Sequence, residues 1–367
     1  MHWNGRPNRL AGLSQADWAW QTDGMKHLLL TAVAAASFVF PAFAPASADE
    51  PTPILSPGEI AAAAPASDWV AIASSDLLVM DLAPDARGKP RRIVIQLIPA
   101  PFSQGWIGNI RKLAAAHWWD GMSVNRVQDN YVAQWGDANG EDAAMAKPLP
   151  SGLSTPMESD YTVQARALVM PMIEVMYRSK ERLKQLEQAQ RKSGPPTIYA
   201  PDMRKKVDPY SDFQGFVAGW PVAGSNGVWP VHCYGMVGVG RNMSPDTGSG
   251  AELYAVIGHA PRHLDRNIAV VGRVISGIEH LSSLPRGTGA LGFYEDAAER
   301  VGIASIRVAT ELPAAEQPRF EYLSTESDSF TRYADARANR RDPFFIKPAG
   351  GADICNIPVP VRPVATK

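Results

Sequence analysis

Side chains able to do chemistry are few in this chain, and most of their arrangements fail on spacing. His259 and His263 stand four apart, as two imidazoles on one helix face would to hold a metal ion, but Pro261 between them forbids that helix. Asp137-Ala138-Asn139-Gly140-Glu141 offers oxygen ligands, yet the bidentate glutamate that closes a calcium loop is missing, so a polar turn is the better reading. Gly238-Val239-Gly240 begins like a dinucleotide-binding turn, but Met243 takes the place of the third glycine and no long helix follows. No Gly-x-Ser-x-Gly elbow is present. Two cysteines are too few for a four-cysteine zinc site. Neither metal nor cofactor is therefore expected. What remains is the segment from Val124 to Asp137, which carries Arg126 and Gln134. A lone arginine in a strand, taken by itself, reads as a surface charge.

The elements around this segment follow from composition and pattern. Of 367 residues, 45% are hydrophobic, enough for a sizeable core and for two domains or one with large additions. Basic and acidic side chains number 36 and 37, so the net charge of -1 provides no general attraction to nucleic acid or an anionic membrane. The 31 prolines and 30 glycines point to turns and loops, not a helical bundle.

The chain opens with an address. Met25-Lys26-His27 precede an apolar run over residues 28–40, and Ala46-Ser47-Ala48 follow. A basic start, a short apolar stretch and an A-x-A ending describe a secretory signal peptide over residues 25–48, with residues 1–24 an upstream extension. The run is shorter than the about 20 apolar residues a bilayer span needs. A periplasmic protein without a transmembrane segment after cleavage is expected. Cys233 and Cys355 would then meet an oxidising compartment, where they either pair or remain two buried thiols; the sequence leaves both open.

Residues 49–67, rich in Ala and Pro, read as a flexible linker. Residues 77–82 and 92–98 read as a β-hairpin across a turn-like cluster. A helix follows over 103–117, with Ser103 as N-cap and Trp106, Ile107, Ile110, Leu113 and Ala114 on one face. Strands are expected over 122–128, 131–135, 231–239, 252–257, 268–275 and 303–309, and a short helix from Ser276 to Leu284. Residues 138–160 read as a loop, and 160–192 as one kinked or two shorter helices inserted into the β domain. Beyond residue 311 the chain turns polar, with basic residues over 332–341 and a proline-rich extended end. Many strands with one early and one late helix imply a mainly β fold, a closed barrel with helices over its ends.

The segment Val124-Asn125-Arg126-Val127-Gln128-Asp129-Asn130-Tyr131-Val132-Ala133-Gln134-Trp135-Gly136-Asp137 resembles the cyclophilin signature. Gly250-Ala251-Glu252-Leu253-Tyr254-Ala255-Val256 is similar to that family's Gly-Ser-Gln-Phe-Phe-Ile strand. His263-Leu264-Asp265-Arg266-Asn267-Ile268 and the run to Val274 are similar to its Trp-Leu-Asp-Gly-Lys-His loop and following strand. The resemblance implies an eight-stranded antiparallel barrel capped by two helices, here over residues 68–310, with an insertion at about 138–230 and a C-terminal extension over 311–367. It implies peptidyl-prolyl cis–trans isomerase activity without a cofactor, acting on proline-containing segments of unfolded or exported proteins.

By position, the resemblance makes Arg126 the catalytic donor and Gln134 its support. Tyr131, Val132, Tyr254, Leu264 and Ile268 would line a proline pocket, with His263, Glu252, Gly240 and Arg241 bordering the peptide groove. The departures from the family pattern are Glu252 for Gln, Ile268 for His, His263 for Trp, Tyr131 and Tyr254 for Phe, and Gly240-Arg241 for Ala-Asn. Glu252 is placed to pair with Arg126 or orient it, and the two tyrosine hydroxyls are expected at the pocket rim. These changes leave a second reading beside the enzyme: a weakly catalytic binding module or chaperone for proline-containing segments of envelope proteins, with 160–192 and 332–341 as partner surfaces.

Overall fold

The computed structural model describes residues 54–164 and 208–364. The expected signal peptide, and residues 165–192 of the expected helical insertion, lie outside the described residues.

The chain runs α1 (Pro57–Ala62), β1 (Trp69–Ala71), β2 (Leu77–Leu82), β3 (Arg91–Leu97), α2 (Gln104–Ala115), β4 (Ser123–Val127), β5 (Val132–Gly136) and β6 (Val163–Gln164). It continues with β7 (Phe213–Val217), β8 (Trp220–Gly224), β9 (Gly227–Pro230), β10 (Met236–Val239), β11 (Leu253–Val256), β12 (Val270–Ser276), α3 (Glu279–Ser282), β13 (Val301–Val308), β14 (Phe320–Leu323), α4 (Asp328–Ala338) and β15 (Val361–Pro363). Eight of these strands close an antiparallel barrel in the order β10-β11-β5-β4-β13-β2-β3-β12.

Alternation builds the barrel. Ile93, Ile95 and Leu97 on β3 meet Leu78, Met80 and Leu82 of β2 inside one core. The α2 helix lays Trp106, Ile110 and Leu113 against that core, as its apolar spacing predicts. Its N-cap differs from the expectation: Ser103 has a left-handed backbone and makes no cap bond. The Ser103 hydroxyl instead donates to the Val270 carbonyl at 2.7 Å, which ties the helix entry to β12.

Several expectations are corrected. The strand expected over 231–239 is broken: β9 ends at Pro230, and Gly235, at φ +79°, turns the chain into the barrel at β10. The second helix is a single turn capped at Ile278, because Ser276 still pairs in β12 and Gly277 takes φ +80°. Within the expected insertion, β6-β9-β8-β7 form a four-stranded sheet, hidden from pattern reading by Gly215, Pro221 and Gly224. Residues 54–67 of the expected flexible linker are built into α1 and the turns after it. Ser56 and Glu59 form a reciprocal capping box on α1. Ile60, Ala61 and Ala64 pack against Leu323, Phe330 and Tyr333 of the C-terminal extension.

The extension also adds β14 and β15 to β1 in a three-stranded sheet, β1-β14-β15. Its cations are engaged internally: Arg340 with Asp342 at 2.7 Å, Arg341 with Asp335 at 3.2 Å, and Arg337 with the Asn356 carbonyl at 2.8 Å. Cys233 and Cys355 are joined as a disulfide, which settles the open choice in favour of pairing. Among the described residues, no helix is long and apolar enough to cross a membrane.

Candidate active site

The site grows from an irregularity in β4. Val124 pairs with Trp135 and Arg126 with Gln134, so Asn125 is an extra residue, a bulge. Without it Arg126 would stand one position out of register with Gln134. The bulge is held by Tyr294, whose N–H donates to the Asn125 carbonyl at 3.0 Å.

Arg126 is half-buried, not free in solvent. Its Nη1 donates to Gln134 Oε1 at 3.1 Å, its Nη2 to Gln128, and its Nε to the Leu291 carbonyl at 2.7 Å. Three of the five N–H groups thus have protein acceptors, leaving two. The guanidinium lies 5.7 Å from the Tyr131 ring and 5.4 Å from the Phe293 ring. Burial lowers its pKa somewhat, and it stays a cation.

Behind Gln134 lies Glu252. The two residues do not divide Arg126 between them: Glu252 makes no bond to the guanidinium and reaches it through Gln134. Its carboxylate accepts the Asp137 N–H at 2.6 Å and is bonded to the side chains of Gln134 and Asn125. Burial pushes its pKa up to about 7, partly offset by these donors. Gly136 is obligatory here, since a Cβ on it would stand 2.1 Å from a Glu252 oxygen. Gly240 lies over the same residue, its N–H on the Glu252 carbonyl at 2.8 Å.

The structure brings the apolar residues named above together in one cluster. Val132, Tyr254 and Val256 form a buried cluster, with Tyr131, Leu264 and Ile268 packed on it. The exposed His263 stacks on Tyr131, with ring centres 6.3 Å apart. Arg241 donates from Nε to the Asn267 carbonyl at 2.9 Å, which tethers the loop bearing Leu264 and Ile268.

The Tyr254 hydroxyl is not at the rim. It lies 3.0 Å from His232 Nε2, and His232 Nδ1 lies 2.9 Å from Asp265. Asp265 in turn accepts Arg262 Nε at 2.7 Å, and Arg262 reaches Asp208 at 2.7 Å. A buried polar chain therefore backs the slot and fixes the Tyr254 ring. Burial raises the Tyr254 pKa far above its ordinary value and keeps it a phenol.

Nothing in the sequence marks Leu291, Phe293, Gln128 or His232 as neighbours of Arg126 or the slot. The one signal is the glycine-rich run over 287–292, whose turns let the chain lie flat on β4. A Cβ at Gly292 would sit 2.7 Å from Gln128 Cα.

Comparison with known proteins identifies the family. The family model described as cyclophilin type peptidyl-prolyl cis-trans isomerase/CLD matches residues 89–308. A cyclophilin of Hirschia baltica superposes with a TM-score of 0.55 at 17% identity, covering 82% of this chain and 94% of its own. A cyclophilin-type isomerase of Cryptosporidium parvum gives 0.33 at 11% identity over 63% of this chain and 96% of its own. No protein among curated sequences matches.

Proposed function

The chain belongs to the cyclophilin-type peptidyl-prolyl cis–trans isomerase family, and from that premise we propose that Arg126 and the slot beside it turn X–Pro bonds in unfolded, exported proteins. The observation that carries this reading is the convergence of Arg126, Gln134 and the Tyr131–Val132–Tyr254–Leu264–Ile268 cluster on adjoining strands and one loop.

Rotation about the imide costs about 18–20 kcal/mol because it breaks amide resonance. The proline ring enters the apolar slot, which leaves the imide at its mouth. The two spare N–H groups of Arg126 then face the nitrogen as it pyramidalises. A hydrogen bond made only to the twisted state lowers the barrier without holding either planar isomer. Gln134 keeps the guanidinium plane fixed, so little reorganisation is needed at the moment of rotation. No covalent step or cofactor enters.

Export to the periplasm is part of the proposal. It is supported by the signal-like residues 25–48 and by the Cys233–Cys355 pairing, which suits an oxidising compartment. A second reading, capture of proline-containing segments with little turnover, is favoured by the Leu291 carbonyl that occupies Arg126 Nε. A proline-limited refolding assay separates them. Arg126→Ala is expected to lose about 100-fold in kcat/KM while retaining its fold. Equal rates for the two proteins end the catalytic reading.

A further inference from the structure

The strand register sets one row of side chains across the site. Tyr254 of β11 pairs with Gln134 of β5, and Gln134 with Arg126 of β4. The row goes one step further, because Phe293 forms an antiparallel bridge with Arg126. Residues directly opposite each other in an antiparallel pair place their side chains on the same face. Phe293 therefore stands beside Arg126 at the edge of β4 away from Gln134, its ring 5.4 Å from the guanidinium.

Phe293 is 38% exposed and Leu291, two residues before it, 67% exposed. A lone exposed apolar side chain is ordinary. These two are presented by a fixed turn. Gly287 donates its N–H to the Val127 carbonyl at 2.9 Å and Tyr294 donates its N–H to the Asn125 carbonyl at 3.0 Å, which pins both ends of the turn to β4. Within it, the Phe293 N–H donates to the Ala290 carbonyl at 3.1 Å, and the Phe293 carbonyl accepts the Gly289 N–H at 3.0 Å. A Cβ at Gly287 would stand 2.1 Å from the Gly292 carbonyl oxygen, so the turn closes only on glycine there.

The turn does not explain Leu291. Its backbone is left-handed, at φ +56°, where a bulky side chain is disfavoured. Its carbonyl accepts Arg126 Nε at 2.7 Å, yet glycine or asparagine would present that carbonyl with less strain. The fold thus carries a backbone cost and an exposed leucine side chain at a point that touches Arg126. Strained positions of this kind cluster at binding sites.

The span suits a peptide. The Arg126 guanidinium lies 5.7 Å from the Tyr131 ring, which packs on the slot, and 5.4 Å from the Phe293 ring. The two rings are no farther apart than those distances combined, which three or four residues of extended chain cover at about 3.3 Å each.

Resting on the isomerase reading above, we propose that Phe293 and Leu291 form a second apolar contact for the substrate, selecting X–Pro segments with a large apolar side chain two to four positions from the proline.

The test uses the full chain and synthetic peptides with one proline in a background of alanine and serine. A leucine is placed three positions before the proline, three positions after it, or eight positions away. Each peptide is measured for kcat/KM and, by fluorescence anisotropy, for Kd. One near placement is expected to improve on the leucine-free peptide by about fivefold or more, and the distant placement to match it. Leu291→Asn, which keeps the carbonyl and tolerates the left-handed backbone, should cut that preference at least by half, and so should Phe293→Ser. No near preference, an equal gain from the distant leucine, or a preference unchanged in both variants overturns the proposal. A preference in Kd without turnover of any peptide overturns the isomerase reading and leaves the contact standing; turnover without preference does the reverse. The peptide comparison needs no variant, so a variant that fails to fold does not rescue the proposal.

Discussion

Arg126 and Gln134 face each other across the β4–β5 ladder, and one guanidinium N–H reaches the Gln134 oxygen at 3.1 Å. The amide of the same glutamine bonds to Glu252. Gln134 therefore stands between a fixed cation and a carboxyl that titrates near neutrality, and most of the site's behaviour can be tested through these three residues.

Gln134→Ala leaves Arg126 with its bonds to Leu291 and Gln128 but without the one that sets its plane. A fall of about tenfold in kcat, with KM nearly unchanged, is expected. Steady-state kinetics on a proline-containing peptide measures this; a change confined to KM would assign Gln134 to substrate binding.

Glu252 sets a pH dependence. Its folded pKa of about 7 lies above that of an unfolded carboxyl, so the folded chain holds a proton that the unfolded chain releases. The associated stability is full in acid and is lost as pH rises towards and through 7. Glu252→Gln stays neutral throughout. Its advantage over the natural chain should grow between pH 5 and pH 8, by up to about 3 kcal/mol. Denaturant unfolding at several pH values checks it, and a constant difference would contradict the assignment.

Activity should depend on the same group in the opposite sense. Ionised Glu252 accepts the Gln134 amide and leaves its oxygen facing Arg126; protonated, it competes for that oxygen. The rate is expected to rise through about pH 7, and the profile of Glu252→Gln to be flat across that range.

Tyr254→Phe removes a hydroxyl that meets His232 and not the substrate. A stability loss of about 1–2 kcal/mol is expected from the unpaired imidazole, with kcat/KM within about twofold of the natural protein. A large loss of activity at unchanged stability would place the hydroxyl in the groove.

Replacing Cys233 and Cys355 by serine removes a link spanning 122 residues between the barrel's approach and the extension. A loss of about 2–5 kcal/mol is expected. Melting curves with and without reductant should show the same drop for the natural chain and none for the double variant.

The barrel was legible because its strands are short apolar runs, buried on both faces and bounded by turns, and its blocks keep family spacing. Val132, Tyr254, Leu264 and Ile268 could be named through the family resemblance, because its three blocks fix their places along two strands and a short loop. Glu252 could be named but not understood: its partner is Gln134, and the pairing depends on the Asn125 bulge and on the room left by Gly136. The three-stranded terminal sheet was not legible, because each strand is too short to show a period.

The amino-acid order by itself determined the barrel, through short apolar runs and the turns between them, and its likeness to the cyclophilin signature singled out Arg126 and the apolar residues beside it. Only the folded chain decided which hydroxyl faces inward, what covers Arg126, and that two distant cysteines meet. Those are contacts between segments far apart in sequence, and no local pattern encodes the distance between them.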